Sequence, residues 1–306
     1  MKFTTPVLIS VLLAASPSVS AAIDIHFDYR YDTGFFTGAN SHRQDILNAA
    51  AATFESRLED SLSAVLSSGS NSFSATFFRP DSGVLETLRE FSVAENQIVV
   101  FTGARAIAGS AIATGGPGGV GIDRVNSIEF RDNVLSRGQT GALGPLAGRT
   151  DFGPWGGSLA FDSAANWYFD PDPATDETFS GFDLFSVAVH ELGHILGFGT
   201  ADSYGNLVSN GVFTGAAATA LLGNPPPLAG DNDHWRDGLS YLGQEAALDP
   251  TIAAGQRKHF TELDFAALQD IGWEVSPIPE ADTWAMMLAG LGLLGWRLRA
   301  SSRRAA

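Results

Sequence analysis

The sequence predicts an α+β domain built on a mixed, twisted sheet, with one central helix and a loop-rich C-terminal half. Three observations point there. Strand-like alternation and helix-like periodicity succeed one another through the first 200 residues, which a helical bundle would not show. Glycine supplies 34 of 306 residues while Lys and Arg together supply 18, so loops and turns must carry much of the chain. The hydrophobic content, 44%, is enough to bury a full core in one large domain or two small ones. The formal net charge of −16 argues against a nucleic-acid partner, and the absence of cysteine leaves stability to packing and to any bound metal. No repeat of solenoid period is visible.

In chain order, residues 1–21 read as an export signal. Lys2 opens a short apolar core, Val7 to Ala15, and Val19-Ser20-Ala21 is a small-residue cleavage site. Ile23 to Tyr29 alternates as a half-buried strand. His42 to Leu66 reads as a helix, because Ile46, Ala49, Ala50, Phe54, Leu58 and Leu62 recur at helical spacing. Strands are predicted at Ser72–Phe78 and Gln97–Thr102, the second through the apolar run Ile98-Val99-Val100-Phe101. Gly103 to Gly121 reads as a flexible surface loop, since no Gly-Lys-Ser/Thr follows to make it a phosphate cradle. Trp155–Asp162 and Asn166–Asp170 read as two strands. Asp170 to Asp176 has no calcium-loop spacing and is expected to be a solvated turn. Ser180 to Asp183 reads as a capping box opening the next helix, which buries Phe185, Ala188, Val189, Leu192, Ile195 and Leu196. A last helix, Thr261 to Ile271, should pack Phe265, Leu268, Ile271 and the following Trp273 on the domain.

The helix after Asp183 carries the chemistry. His190 and His194 lie four apart, so about 400° of helical rotation sets both imidazoles on one face at the spacing that a single Zn²⁺ needs. Glu191 stands beside His190, close enough to act on a water without ligating the metal. Gly197 can take the positive φ that stops the helix. Two histidines do not close a catalytic site, for which three protein ligands and an open position are the rule. Thr200 is a poor ligand, and no Glu occurs between 192 and 244. Asp202, His234 and His259 remain as candidates for the third.

The stretch His190-Glu191-Leu192-Gly193-His194-Ile195-Leu196-Gly197 is similar to the HExxHxxG pattern of zinc peptidases. Together with Gly156-Gly157-Ser158-Leu159-Ala160, it resembles the metzincin clan, matrixins in particular. The delayed His234-Trp235 before Ala247-Leu248-Asp249-Pro250 resembles leishmanolysin-type members, in which an insertion precedes the third histidine. That resemblance, over about 155–273, implies a zincin-like fold, Zn²⁺ held by His190, His194 and His234, and Glu191 as general base in peptide hydrolysis. It implies a protein or peptide substrate extended along the Gly157–Phe161 edge. Tyr204 and Tyr241 are candidate oxyanion donors, with a structural role as the alternative. The clan's methionine is missing, since Met1, Met286 and Met287 are the only three; Leu248 stands in its place. The rival expectation is a catalytically weak or inactive zinc-stabilised surface or biofilm-matrix protein on the same fold.

Three segments are therefore expected: a signal at 1–21, a peptidase-like domain at 22–275 and a tail at 276–306. In the tail, Pro279-Glu280, an apolar run through Trp296 and Arg297, Arg299, Arg303 and Arg304 resemble the PEP-CTERM sorting signals of Gram-negative bacteria. The resemblance implies an exosortase-type partner, export across the inner membrane, membrane contact through the tail, and a final place at the cell surface or outside the cell.

Overall fold

A computed structural model describes residues 22–277, Pro171 and Asp176 apart. The expected signal segment and nearly all of the expected tail lie outside the described residues. The first strand, β1 (Asp24–Asp28), leads to α1 (Gln44–Glu55), then β2 (Ser72–Phe78), β3 (Leu85–Phe91), β4 (Gln97–Arg105), β5 (Ala113–Pro117) and β6 (Gly119–Arg124). After α2 (Ile128–Ser136) come β7 (Gly156–Asp162), β8 (Trp167–Tyr168), β9 (Phe182–Asp183) and the motif-bearing α3 (Leu184–Ile195). The C-terminal half has short elements: α4 (Asp202–Gly205), β10 (Val208–Ser209), β11 (Val212–Phe213), α5 (Ala216–Leu222), β12 (Ser240–Tyr241), β13 (Gln244–Glu245) and α6 (Glu262–Asp270). This mixed sheet with few helices is the α+β architecture expected.

The main sheet has the order β1-β4-β7-β5, parallel except for β5. A second sheet, β3-β2-β6, is antiparallel. The run Ile98-Val99-Val100-Phe101 explains their stacking. Ile98 and Val100 join the core that includes α1, α3 and α6, whereas Val99 and Phe101 join a second core with Phe73 and Phe77 of the other sheet and with Trp155, which leads into β7. A strand buried on both faces needs such an uninterrupted apolar run.

Several expectations are corrected. The helix predicted to Leu66 ends at Glu55. Leu58, Asp60 and Leu62 are buried in alternation along extended chain, and a spacing of four residues fits a period of two as well as a helix. The backbone of this segment bonds instead to Glu274, Ser276 and Arg137. Arg137, fully buried, donates to the carbonyls of Leu62, Ser63, Ala94, Gln97 and Pro154. The loop expected over Gly103–Gly121 contains β5 and leads into β6, strands held by their partners rather than by their glycine-rich composition. β7 is consequently no edge. It lies between β4 and β5, with Leu159 and Phe161 fully buried, and β5 is the edge strand at this end of the sheet. Gly181 has φ +95°, which excludes a helix from Ser180; the N-cap is Asp183, whose carboxylate accepts the Ser186 amide at 3.2 Å. Asp170, in the turn expected to be solvated, is buried and pairs with Arg257 at 2.9 Å.

Candidate metal centre

Helix α3 crosses the core with its apolar stripe fully enclosed, and ends in a Schellman turn. The Phe198 amide donates to Gly193 O and the Gly197 amide to His194 O, with Gly197 at φ +108°. The chain then passes Gly199, whose φ is +74° and whose missing Cβ would stand 2.5 Å from the Asp233 carbonyl. That bare position lets the loop bearing His234 dock against the end of the helix. Leu228 and Trp235 bridge across the loop, and the Ala229 amide donates to His234 O.

The fold brings His190, His194 and His234 together. Nε2 of His194 lies 3.1 Å from Nε2 of His190 and 3.2 Å from Nε2 of His234. Each Nδ1 faces an acceptor: Ala247 O at 2.7 Å for His190, Phe198 O at 2.9 Å for His194, and the Asp231 carboxylate at 2.9 Å for His234. In a neutral ring, an Nδ1 in such a place carries the proton, which leaves Nε2 with a bare lone pair, and the three Nε2 atoms face one point. Three acceptors converging without a donor repel unless a cation lies among them. Zn–N bonds of about 2.0–2.1 Å in a tetrahedron place nitrogens about 3.3 Å apart, close to the spacing found. The donor set therefore fits a zinc ion, and His190, His194 and His234 could hold one. Burial favours the neutral ring: it lowers His190 well below the usual histidine value and His194 to about 4, with the neighbouring imidazoles adding to both shifts.

The other candidates stand elsewhere. His259 is exposed beside Phe185, with ring centres 5.5 Å apart, and Asp202 pairs with Arg149. The Thr200 hydroxyl donates to His194 O at 2.7 Å and so braces the helix end. Tyr204 is buried and donates to Asn232 O, which makes it part of the loop's support. Tyr241 belongs to the β12–β13 hairpin, outside the cleft's lining.

The three histidines open into a cleft of about 710 Å³, walled by Ser110 to Gly115 on one side and by Pro250 to Ile252 on the other. Glu191 borders it and is 8% exposed; burial pushes its carboxyl up to about 8, opposed by the Gly115 amide. The Asp162 amide donates to Ile112 O, and Gly118 to Gly156 O, so even-numbered peptides of β5 face β7. Odd-numbered ones, at Ala113, Gly115 and Pro117, face away from it.

Three supporting residues were missed by sequence reasoning. Asp231 orients His234, and its signal was a carboxylate three residues before a candidate ligand. Gly115 was lost in the expected loop. Asp264, read as part of a packing helix, is a fully buried hub. Its carboxylate accepts from Trp235 Nε1 at 2.8 Å, from the amides of Ala247 at 3.0 Å and Leu248 at 3.3 Å, and from Thr261. The capping box Thr261-Glu262-Leu263-Asp264 was its legible trace. Leu248 lies fully buried beneath the site; a Cβ on Gly193 would meet it at 2.7 Å.

Residues 128–212 match the family model for matrixin, and residues 277–304 match the PEP-CTERM protein-sorting motif. The first match includes His190, Glu191 and His194 and ends before His234. Comparison with curated proteins and with solved structures returned no match. No helix of the described residues is long and apolar enough to cross a membrane.

Proposed function

Since the chain is a metzincin-type peptidase carrying a PEP-CTERM signal, we propose that it is an exported zinc endopeptidase with His190, His194 and His234 as ligands and Glu191 as general base. The observation that carries this reading is the convergence of three Nε2 atoms beside a buried carboxylate on an open cleft. Zinc supplies Lewis-acid polarisation of water and of the scissile carbonyl. The chain's own residues do the rest. Glu191 takes a proton from the attacking water and passes it to the leaving amine. Burial raises its carboxyl in the metal-free protein, and a cation held by the three histidines would favour the carboxylate that a base needs. A peptide extended along β5 adds a strand through the outward N–H and C=O of Ala113 and the outward C=O of Gly115. The wall at Val187 and Ile252 takes an adjacent side chain.

Residues 1–21 serve as the signal, 22–275 as the catalytic domain and 276–306 as the tail handled by an exosortase-type enzyme at Pro279-Glu280. The mature domain then acts at the cell surface or beyond it, after passing through a state that the tail anchors to the membrane. Leu248, in place of the clan methionine, is the observation that favours a weak or inactive scaffold instead.

The test is zinc content and hydrolysis of a dye-labelled unfolded casein by wild type and Glu191→Ala. We expect one zinc per chain in both, and chelator-sensitive internal cleavage in wild type alone. Zinc binding without cleavage by wild type would support the scaffold. Equal cleavage by the two proteins would remove Glu191 from the mechanism, and trimming from chain ends alone would exclude an endopeptidase.

A further inference from the structure

Glu191 packs against a backbone position of β5 that has no room for a side chain. A Cβ built on Gly115 stands 2.8 Å from Glu191 Cβ, 2.9 Å from Glu191 O and 2.9 Å from Glu191 Oε2. Two of these three atoms are fixed by the backbone of a helix whose apolar face is wholly enclosed, so α3 has little room to yield. Gly115 does not have positive φ, which removes the usual conformational reason for glycine. The next residue makes the contrast: a Cβ on Gly116 meets nothing within 4 Å, and its peptide faces β7. The Gly115 amide points away from β7, and the Glu191 carboxylate lies against this stretch of backbone.

We propose that Gly115 is a positioning residue for Glu191: its amide tethers the carboxylate to β5, and its bare Cα lets the helix approach closely enough for that bond to form. This rests on Glu191 being the general base. One carboxylate oxygen is held by the strand, which leaves the second for the cleft. An alanine at 115 forces β5 outward or turns the carboxylate away from its amide. The edge strand thus aims the base as well as presenting main-chain groups to a substrate.

The experiment compares zinc-loaded wild type, Gly115→Ala and Gly116→Ala in casein hydrolysis and in crystal structures. Gly115→Ala should lower kcat about 100-fold, the scale set by a misplacement near 1 Å, with KM within about threefold and zinc content unchanged. Gly116→Ala should match wild type, and the Glu191 carboxylate should leave the residue-115 amide in Gly115→Ala alone. A wild-type kcat in Gly115→Ala, an equal loss in Gly116→Ala, or an unmoved carboxylate overturns the proposal. Hydrogen exchange at the Gly115 amide decides it even if Gly115→Ala does not fold. Exchange should be slow in wild type and faster in Glu191→Ala, and equal rates overturn the tether. If wild type cleaves no polypeptide, the functional reading fails, while the crystal and exchange measurements still judge the tether.

Discussion

The two halves of the candidate zinc site are built by different means. His190, Glu191 and His194 come from one buried helix, so their relative positions follow from helical geometry and from a stripe of enclosed side chains. His234 comes from a loop, and its side chain keeps 22% exposure. Its position depends on a bridge between Leu228 and Trp235, on Asp231, and on the Asp264 carboxylate beneath. The helix half is held by packing; the loop half is held by hydrogen bonds that meet at a few groups. Packing spreads its contribution over many atoms, whereas such a network can be lost through one. The helix pair should therefore outlast the loss of metal, and the third histidine should need the metal to stay in place.

The largest expected effect comes from removing the hub. Asp264→Ala leaves the Trp235 indole N–H and the Ala247 and Leu248 amides buried without an acceptor. The cost should be about 3 kcal/mol or more, read as a fall in thermal midpoint together with loss of stoichiometric zinc. A stable Asp264→Ala that still binds zinc would show that packing also holds the loop half. Next comes His234→Ala, which should weaken zinc binding by more than the roughly 100-fold that an outer partner costs. His259→Ala should bind zinc as wild type does, because His259 is exposed beside Phe185 and is not part of the ring cluster. The reverse order of affinities would move the third ligand and sink the loop assignment.

The same contrast governed what could be read from the sequence. The helix half was legible because its logic is local: four-residue spacing, an apolar stripe and a glycine stop lie in consecutive residues. His234 was reachable only as one of three candidates, since nothing within residues 229–236 records the bare Gly199 that admits the loop. Strand β5 was misread because Ala-Thr-Gly-Gly-Pro has low strand propensity; its structure comes from β7, and its glycine at 115 from close contact with Glu191. The overrun of α1 has a related origin, for Phe54, Leu58 and Leu62 satisfy a helical and an extended pattern alike. Strand β3 and helix α2 were not anticipated at all. Their weak apolar patterns reflect partial exposure, since β3 has no buried residue and α2 only Val134 and Ser136.

A smaller effect separates the halves by pH. Asp231→Asn keeps an acceptor for His234 Nδ1–H but removes its charge, and should lower zinc affinity about 10- to 100-fold. In the helix half, burial holds His190 and His194 below their unfolded values, so the unfolded chain binds more protons as pH falls. The stability of the metal-free protein should thus be full above the unfolded histidine value of about 6.5 and decline as pH drops toward about 4. Thermal midpoints of chelated wild type and His194→Gln, measured across that window, check the sign. A midpoint that rises on acidification in wild type would contradict the burial argument.

The smallest effect concerns the floor between the halves. Leu248 packs against Gly193 of the helix, and its amide is held by Asp264 of the loop network, so it touches both constructions. Leu248→Met exchanges a branched side chain for an unbranched one of similar volume in a fully buried place. The thermal midpoint should shift by the equivalent of less than about 1.5 kcal/mol, and zinc affinity should stay within a few-fold of wild type. Leu248 packs against Gly193 and is not among the three residues that could hold the metal, so hydrolysis should also be retained. A large gain in casein cleavage with unchanged zinc content would mean that the leucine had held the helix face and the His234 loop slightly out of register. It would also make the branched floor the source of weak activity, and so bear on the choice between enzyme and scaffold.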